Sequence, residues 1–358
     1  MKKNIRVVVL ILCFFTLLSG CAKMPDPADS GISKTKTITD CIGRKVTIPE
    51  NPQRVACLYA ATAHMLALVD EGGEIVGAPD GVKRDVVMQI KYPGIKNIAV
   101  PYLNGAINTE ELLRINADIA LIRKDTAENA AEVEKLNNLK IPYVVVDFSS
   151  VAELQKAITV VGDIFGKRDI TDRYVAYMNQ TFAYVKEHLN GLSDSEKVTV
   201  YHSVNEATQT YSSGCISAEI TSAAGVKNVS LNAGLGIGGN DKNTTLEQIY
   251  RWDPQAIIVN DYNIVPYIYG NAKWQGLTAV KNKKVIALPV GVSRWGHFGS
   301  IEPQMGTLFI ASTFYPTRFQ DLNMTQTVMD YYTKFFKLNI TKELAQKILS
   351  GEGMRAEK

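Results

Sequence analysis

Between Asp169 and Asn190 the apolar positions recur every three to five residues: Ile170, Tyr174, Tyr177 with Met178, Phe182, Val185 and Leu189. That spacing turns one stripe toward a core and leaves Arg173, Lys186 and Glu187 to water, which predicts an amphipathic helix. Asp169 caps its start, no Gly or Pro interrupts it, and Gly191 stops it. At 1.5 Å per residue the helix is roughly 33 Å long, about the width of a small domain. It is long enough to tie two lobes together.

The pattern on its two sides is related. EELLRINADIALI, Glu110 to Ile122, lines up with EQIYRWDPQAIIV, Glu247 to Val259, 137 positions on. Each copy reads as a short helix passing through a turn into a buried strand. Any α/β chain holds such passages, but two with the same acidic start and apolar spacing favour paired lobes.

Strands are expected near 54–58, 74–77, 118–122 and 142–147 before the long helix, and near 197–202, 256–260 and 284–288 after it, alternating with helical stretches. That alternation predicts parallel sheets. Residues 37–40 and 45–48 alternate around Gly43 as a hairpin, and 324–337 and 341–349 read as two closing helices. The fold class is therefore α/β, two Rossmann-like lobes with parallel sheets bridged by a single long helix. The divisions are 1–20 leader, 21–35 tether, 36–168 N-terminal lobe, 169–190 interlobe helix, 191–320 C-terminal lobe and 321–358 C-terminal helices.

Composition changes the picture mainly at the start. Lys2, Lys3 and Arg6 precede an apolar run from Val7 to Leu18, and Leu-Ser-Gly leads to Cys21. About a dozen apolar residues fall short of the ~20 that a bilayer requires. The segment reads as a secretory signal with lipidation at Cys21, followed by a Pro-, Ser- and Asp-rich tether. The leader holds three of the 39 basic residues and none of the 36 acidic ones, so the mature chain is balanced. Nothing in that balance asks for nucleic acid. Its 338 residues exceed one ordinary core and fit two.

Three cysteines remain, Cys41, Cys57 and Cys215, with no CxxC spacing. Cys57 reads as a small hydrophobe in a strand, and Cys215, in a loop after Gly214, as an inert thiol more readily than one near a ligand.

The segment DCIGRKVTIPENPQRV, Asp40 to Val55, is followed in order by Ile75-Val76-Gly77, the Glu110 to Ile122 passage and Ile141-Pro142-Tyr143-Val144-Val145-Val146. The second half adds Ala224 to Val229, Glu247 to Val259, Trp274 to Val280, Lys284 to Pro289 and Tyr315-Pro316. This ordered set resembles the class III substrate-binding proteins of ABC importers, which take up ferric siderophores, haem and cobalamin. The resemblance implies a monomer held at the membrane by its N-terminal lipid, delivering a small ligand to a permease and its ATPase. It also implies one surface glutamate on each lobe for docking. Here the first such position falls at His64, and the second near Ser222, with Glu219 one turn earlier.

In open α/β sheets ligands bind beyond the carboxyl ends of the strands. The loops there offer Tyr59, Arg84 and Tyr102 from the first lobe, and His202, Tyr211, Tyr262, Arg294, Trp295 and His297 from the second. The set is rich in aromatics and poor in acids, which suits a bulky conjugated ligand such as a metal chelate. Glycines at 291, 296 and 299 flank Trp295 and His297 and suggest a flexible loop aimed at the ligand.

A bare metal ion needs three or four converging ligands. The four mature histidines, 64, 188, 202 and 297, show no metal spacing, so a bare metal ion is a disfavoured alternative cargo, and neither a protein metal centre nor a cofactor is expected. A haem iron would need only one or two axial ligands, which His202, His297 or Tyr59 can supply. An oxyanion would use helix N-termini with Arg84 or Arg294.

An enzyme is disfavoured. No GxSxG occurs, His202 and Ser203 point to opposite faces of a strand, and the glycine-rich run 234–239 lacks the Lys-Ser/Thr of a P-loop. That run reads as a mobile loop at the cleft edge. A sensor or adhesin would differ by lacking small-molecule affinity.

Overall fold

A computed structural model describes residues 34–211, 213–231 and 242–356. The leader, Cys21, the tether up to residue 33 and the glycine-rich run 234–239 lie outside them. Residues from Thr35 onward form one compact unit.

The hairpin pairs Thr35–Thr39 with Lys45–Pro49, antiparallel, and Ile38 and Ile48 are the buried members. The first sheet runs Ile75–Gly77, Val55–Cys57, Ile119–Ile122, Tyr143–Val145, all parallel, with Val55 opposite Ile119 and Leu121 opposite Val144. Val55–Cys57 and Ile119–Ile122 are buried along their whole length, as strands covered by helices on both faces must be.

The second sheet sets Thr199–Ser203, Ala256–Val259 and Val285–Ala287 parallel, with Tyr201 and Val285 on either side of Ile257. Three two-residue strands missing from the sequence reading complete it. Lys227–Asn228 is parallel to Thr199–Ser203, and Gln209–Thr210 and Lys242–Asn243 are antiparallel extensions. Two residues carry no readable alternation, so only pairing reveals them.

The repeat is physical. Asn108 and Thr245, 137 positions apart, each cap a helix by accepting a backbone N–H three residues on. Asn116 and Asp253, again 137 apart, turn the chain into the strand with positive φ, 45° and 36°. Asp118 Oδ2 accepts from the backbone of Gln53 and Arg54, and Gln255 Oε1 from that of Thr199. The same device pins the first strand of each sheet.

The long helix spans Arg168–His188. It buries Thr171, Tyr174, Met178, Thr181 and Val185 and packs against Val151–Phe165 on one side and Pro303–Phe314 on the other. The closing helices, Met324–Phe336 and Lys342–Ser350, lay Tyr331, Tyr332, Phe335 and Phe336 into the N-terminal core. That core also takes Val290, Val292, Trp295, Ile301 and Met305 from the far side of the long helix, so a single apolar cluster crosses from one half of the chain to the other.

Candidate functional site

The strand Val55–Cys57 delivers the chain to Tyr59, whose extended backbone starts the helix Ala60–Leu68. Tyr59 is 8% exposed, with its ring 6.0 Å from that of Phe148 and 5.2 Å from the Arg123 guanidinium carbon. Its hydroxyl is buried with no hydrogen-bond partner among the described residues. Burial pushes the phenol's pKa up, so Tyr59 is a proton-bearing donor at every physiological pH.

From the other half, the strand Val285–Ala287 runs out into the loop 289–302. There His297 Nδ1 accepts the Gly299 backbone N–H at 3.1 Å, which leaves the Nε2–H free to donate. Burial, then the nearby Arg294 and Arg355 charges, hold the ring's pKa well below its ordinary 6.5, so it stays neutral. Arg294 donates from Nη1 to Asn205 Oδ1 at 3.2 Å and is half-buried. Burial, then Arg355, lowers its own pKa, the signature of a guanidinium short of counter-charge.

These groups meet. Tyr59, His64, Gly81 and Asp85 from the first lobe and Ser293, Arg294, His297 and Gly299 from the second enclose a cavity of ≈ 90 Å³, with Arg355 of the C-terminal tail on its wall. Wider hollows lie elsewhere among the described residues, including one of ≈ 640 Å³ beside Arg123 and Asp147, one of ≈ 770 Å³ around the end of the long helix and one of ≈ 370 Å³ beside Lys197 and Asn228. The first is walled by one lobe and mixes Arg123, Lys124 and Lys156 with Glu128, Asp147 and Glu153, so it has no charge preference. The second lies away from the strand ends. The small cavity is the one that both sheets feed.

Of the residues singled out from sequence, Tyr59, Arg294 and His297 line it, and His64 joins them. Trp295 does not. It is 0% exposed in the shared core, and the glycines beside it are contact glycines rather than hinges. A Cβ at Gly291 would meet Tyr332 Oη at 1.7 Å, and one at Gly296 would meet Leu288 Cδ1 at 2.2 Å and Asn260 Oδ1 at 2.4 Å. Local sequence cannot distinguish a glycine kept for close approach from one kept for motion.

His202 is also buried completely. Its Nε2 lies 2.9 Å from Asn260 Oδ1 under Gly296, and burial holds its pKa at about 4. Tyr211 is buried edge-on between His202 and His297 and supports the His297 ring from beneath. Both stand behind the site rather than in it. Arg84 turns to Asp80, 3.2 Å away, Tyr102 bonds Thr126, and Tyr262 packs on a separate core of the second lobe. None of the three lines the cavity.

His64 does not lie at the surface, where the docking position was expected. The helix Ala60–Leu68 is buried over nearly its full length, and His64 Nε2 sits 2.9 Å from the buried Asp85 Oδ2. Glu219 and Ser222 are exposed on the helix Ile216–Ala223, but the Glu219 carboxylate already accepts the Val151 N–H at 2.9 Å.

Sequence reading missed Asp85 and Arg355. Asp85 follows Arg84 in a helical stretch without a strand to mark it, and Arg355 comes from a tail with no periodicity. Among the described residues no group of three metal-ligating side chains converges, and Cys41 and Cys57 are free thiols. Burial raises Cys41 to about 11 and Cys57 to about 12, so neither is a thiolate at neutral pH.

With both Asp85 oxygens already paired, to His64 Nε2 and Arg355 Nη1, the groups left to a ligand are guanidinium, phenol and imidazole N–H or O–H, donors rather than acceptors. Such a set complements an anion.

A family model described as periplasmic binding protein matches residues 55–290. The molybdate-binding protein MolA of Haemophilus influenzae is 26% identical over 95% of this chain and 99% of that protein. A solved structure of MolA with molybdate bound superimposes with a TM-score of 0.76 at 24% identity, over 86% of this chain and 99% of the other. An uncharacterised ABC transporter substrate-binding lipoprotein of Bacillus subtilis, YvrC, is 23% identical over 90% of this chain and 100% of its own length. The iron(3+)-hydroxamate-binding protein YxeB of the same organism is 23% identical over 80% of this chain and 89% of that protein.

Proposed function

The chain belongs to the periplasmic binding protein family, and from that premise we propose that it is the solute-binding component of an ABC importer whose cleft captures a small oxyanion such as molybdate. The observation that carries this is the cavity between the lobes. Sites for drug-sized ligands are about 300–1,000 Å³, and this one is ≈ 90 Å³. A ferric siderophore, haem or corrinoid does not fit that volume. An ion of a few atoms does.

The chemistry agrees with the size. Arg294 is a half-buried cation whose hydrogen-bond partner among the described residues is the neutral Asn205, Tyr59 Oη has no partner among them, and His297 presents Nε2–H. An oxyanion satisfies all three at once, and charge-assisted bonds in a half-buried site are the strong kind. The similarity to MolA, whose name states that it binds molybdate, supports the same ligand class. Recognition by hydrogen bonds, with no nucleophile or metal needed, makes this a binding protein rather than an enzyme. Lipidation at Cys21 would hold it at the outer face of the membrane, and its partners would be a permease and ATPase.

The aromatic rim supports a second reading. Phe298 and Tyr59 both lie within 6 Å of the Arg123 guanidinium, and YxeB carries a ferric chelate in its name. On that reading a metal chelate would rest at the mouth above the cavity. Isothermal titration of the purified protein with molybdate, tungstate, sulfate, phosphate, a ferric hydroxamate, haemin and cobalamin separates the two. Saturable heat with oxyanions alone, reduced at least ~tenfold by Arg294→Gln, is the expected result. Saturation only by a chelate would replace the oxyanion reading with the second.

A further inference from the structure

The cavity has a wall that neither lobe's sheet supplies. After the last helix, Lys342–Ser350, the chain turns at Gly351 and Gly353, both at positive φ, 72° and 66°. A Cβ at Gly351 would stand 3.0 Å from Leu288 O, so the turn is made where backbone passes backbone. Met354, 1% exposed, plugs into the N-terminal core. The Val86 N–H donates to Met354 O and the Ala356 N–H to Arg84 O, clipping the strap along the first lobe like a short antiparallel strand.

That clip places Arg355. Its Nη1 pairs with Asp85 Oδ1 and its Nη2 donates to Gly81 O, while Asp85 Oδ2 is taken by His64 Nε2. A guanidinium carries five N–H donors, so the two bonds fix its plane and leave donors over on a side chain that lines the cavity. Both oxygens of Asp85 are occupied, which masks the one carboxylate in an anion site. A ring of this kind, rigid before the ligand arrives, is how affinity is gained without ordering cost.

We propose, building on the oxyanion reading above, that the C-terminal strap is a third wall of the ligand site and that Arg355 contacts the bound oxyanion directly, opposite Arg294. Asp85 and His64 are positioning residues that hold its plane. The site therefore depends on a segment lying beyond the two sheets.

Isothermal titration with molybdate, on the full-length protein and four variants, tests this. Arg294→Gln reports on the oxyanion site itself. Arg355→Gln is expected to weaken binding roughly ten- to hundredfold. Because that change also unmasks Asp85, the double variant Arg355→Gln/Asp85→Asn removes both charges together. A direct contact leaves the double variant still at least about tenfold weaker than wild type. Recovery to within about twofold of wild type would mean that Arg355 only neutralises Asp85, and would overturn the proposal.

Loss in Arg294→Gln with wild-type affinity in Arg355→Gln would keep the oxyanion reading and discard the strap. A wild-type protein silent to molybdate, tungstate, sulfate and phosphate would discard both. Near-ultraviolet circular dichroism checks folding. If Arg355→Gln does not fold, Arg355→Lys keeps the pair with Asp85 but lacks the planar fork, and is expected to lose about tenfold. Unchanged affinity in that variant would equally overturn the contact.

Discussion

A fully buried histidine, with the Asn260 amide 2.9 Å from its Nε2 and the Tyr211 ring edge-on against it, has a definite electrostatic role. His202 is held at about 4 from its ordinary 6.5 by burial, with the Asn260 bond opposing weakly. The unfolded chain therefore takes up a proton on this ring at higher pH than the folded one does. Its contribution is complete above pH 6.5, is lost as pH falls through the window from 6.5 to 4, and changes no further below that. The full span amounts to about 3 kcal/mol. Denaturant titrations of wild type and His202→Gln at pH 7 and at pH 4.5 should show the wild type losing more stability on acidification. Equal losses would mean that the ring is solvated. At the same scale, His64 was expected at the surface and lies instead against Asp85, because the helix that carries it is apolar nearly all round and is enclosed by the N-terminal core.

Among the elements, the loop 289–302 is the one whose character the structure reverses. Its glycines suggest motion, but it is nailed down at many points. Glu302 accepts from the Ser293 backbone and hydroxyl and from Tyr332 Oη, the Val292 N–H donates to Tyr332 Oη, and the Trp295 ring fills the core between them. Burial raises the Glu302 pKa, and the Tyr332 and Ser293 bonds oppose that shift. Arg294 and His297 thus reach the cavity from a rigid base, as precise contacts to the proposed ligand would require. Trp295→Ala should cost about 3–5 kcal/mol of stability, the usual range for emptying an aromatic site in a core, read from urea or thermal unfolding. A change under ~1 kcal/mol would show that the ring is not packed as described.

At the scale of the whole molecule, the lobes share one apolar cluster and are tied by specific bonds. Tyr174 on the long helix donates to Ile301 O, Gln304 donates to Tyr174 Oη, and Glu219 accepts from Val151. The Pro303–Phe314 helix packs along Arg168–His188. Wide closure would tear this core, so the lobes should rock by a few degrees at most about an uninterrupted helix. Small-angle scattering curves of the free and molybdate-saturated protein should nearly superimpose, and a closure of tens of degrees would refute the rigid-spine picture. What the sequence by itself determined is the alternation of strands and helices, the long helix, and the repeat from Glu110 to Ile122 and Glu247 to Val259, since local periodicity and turn chemistry dictate those directly. It also brought forward Tyr59, Arg294 and His297, because strand ends are where such folds place ligands. Only the tertiary structure decided that Trp295, His202 and Tyr211 lie behind the site, that Gly291 and Gly296 serve packing, and that Asp85 and Arg355 belong to the cavity. Burial and close approach depend on what other segments bring to the same place. A tail residue reaching a loop some 270 positions earlier leaves no mark on its own neighbourhood.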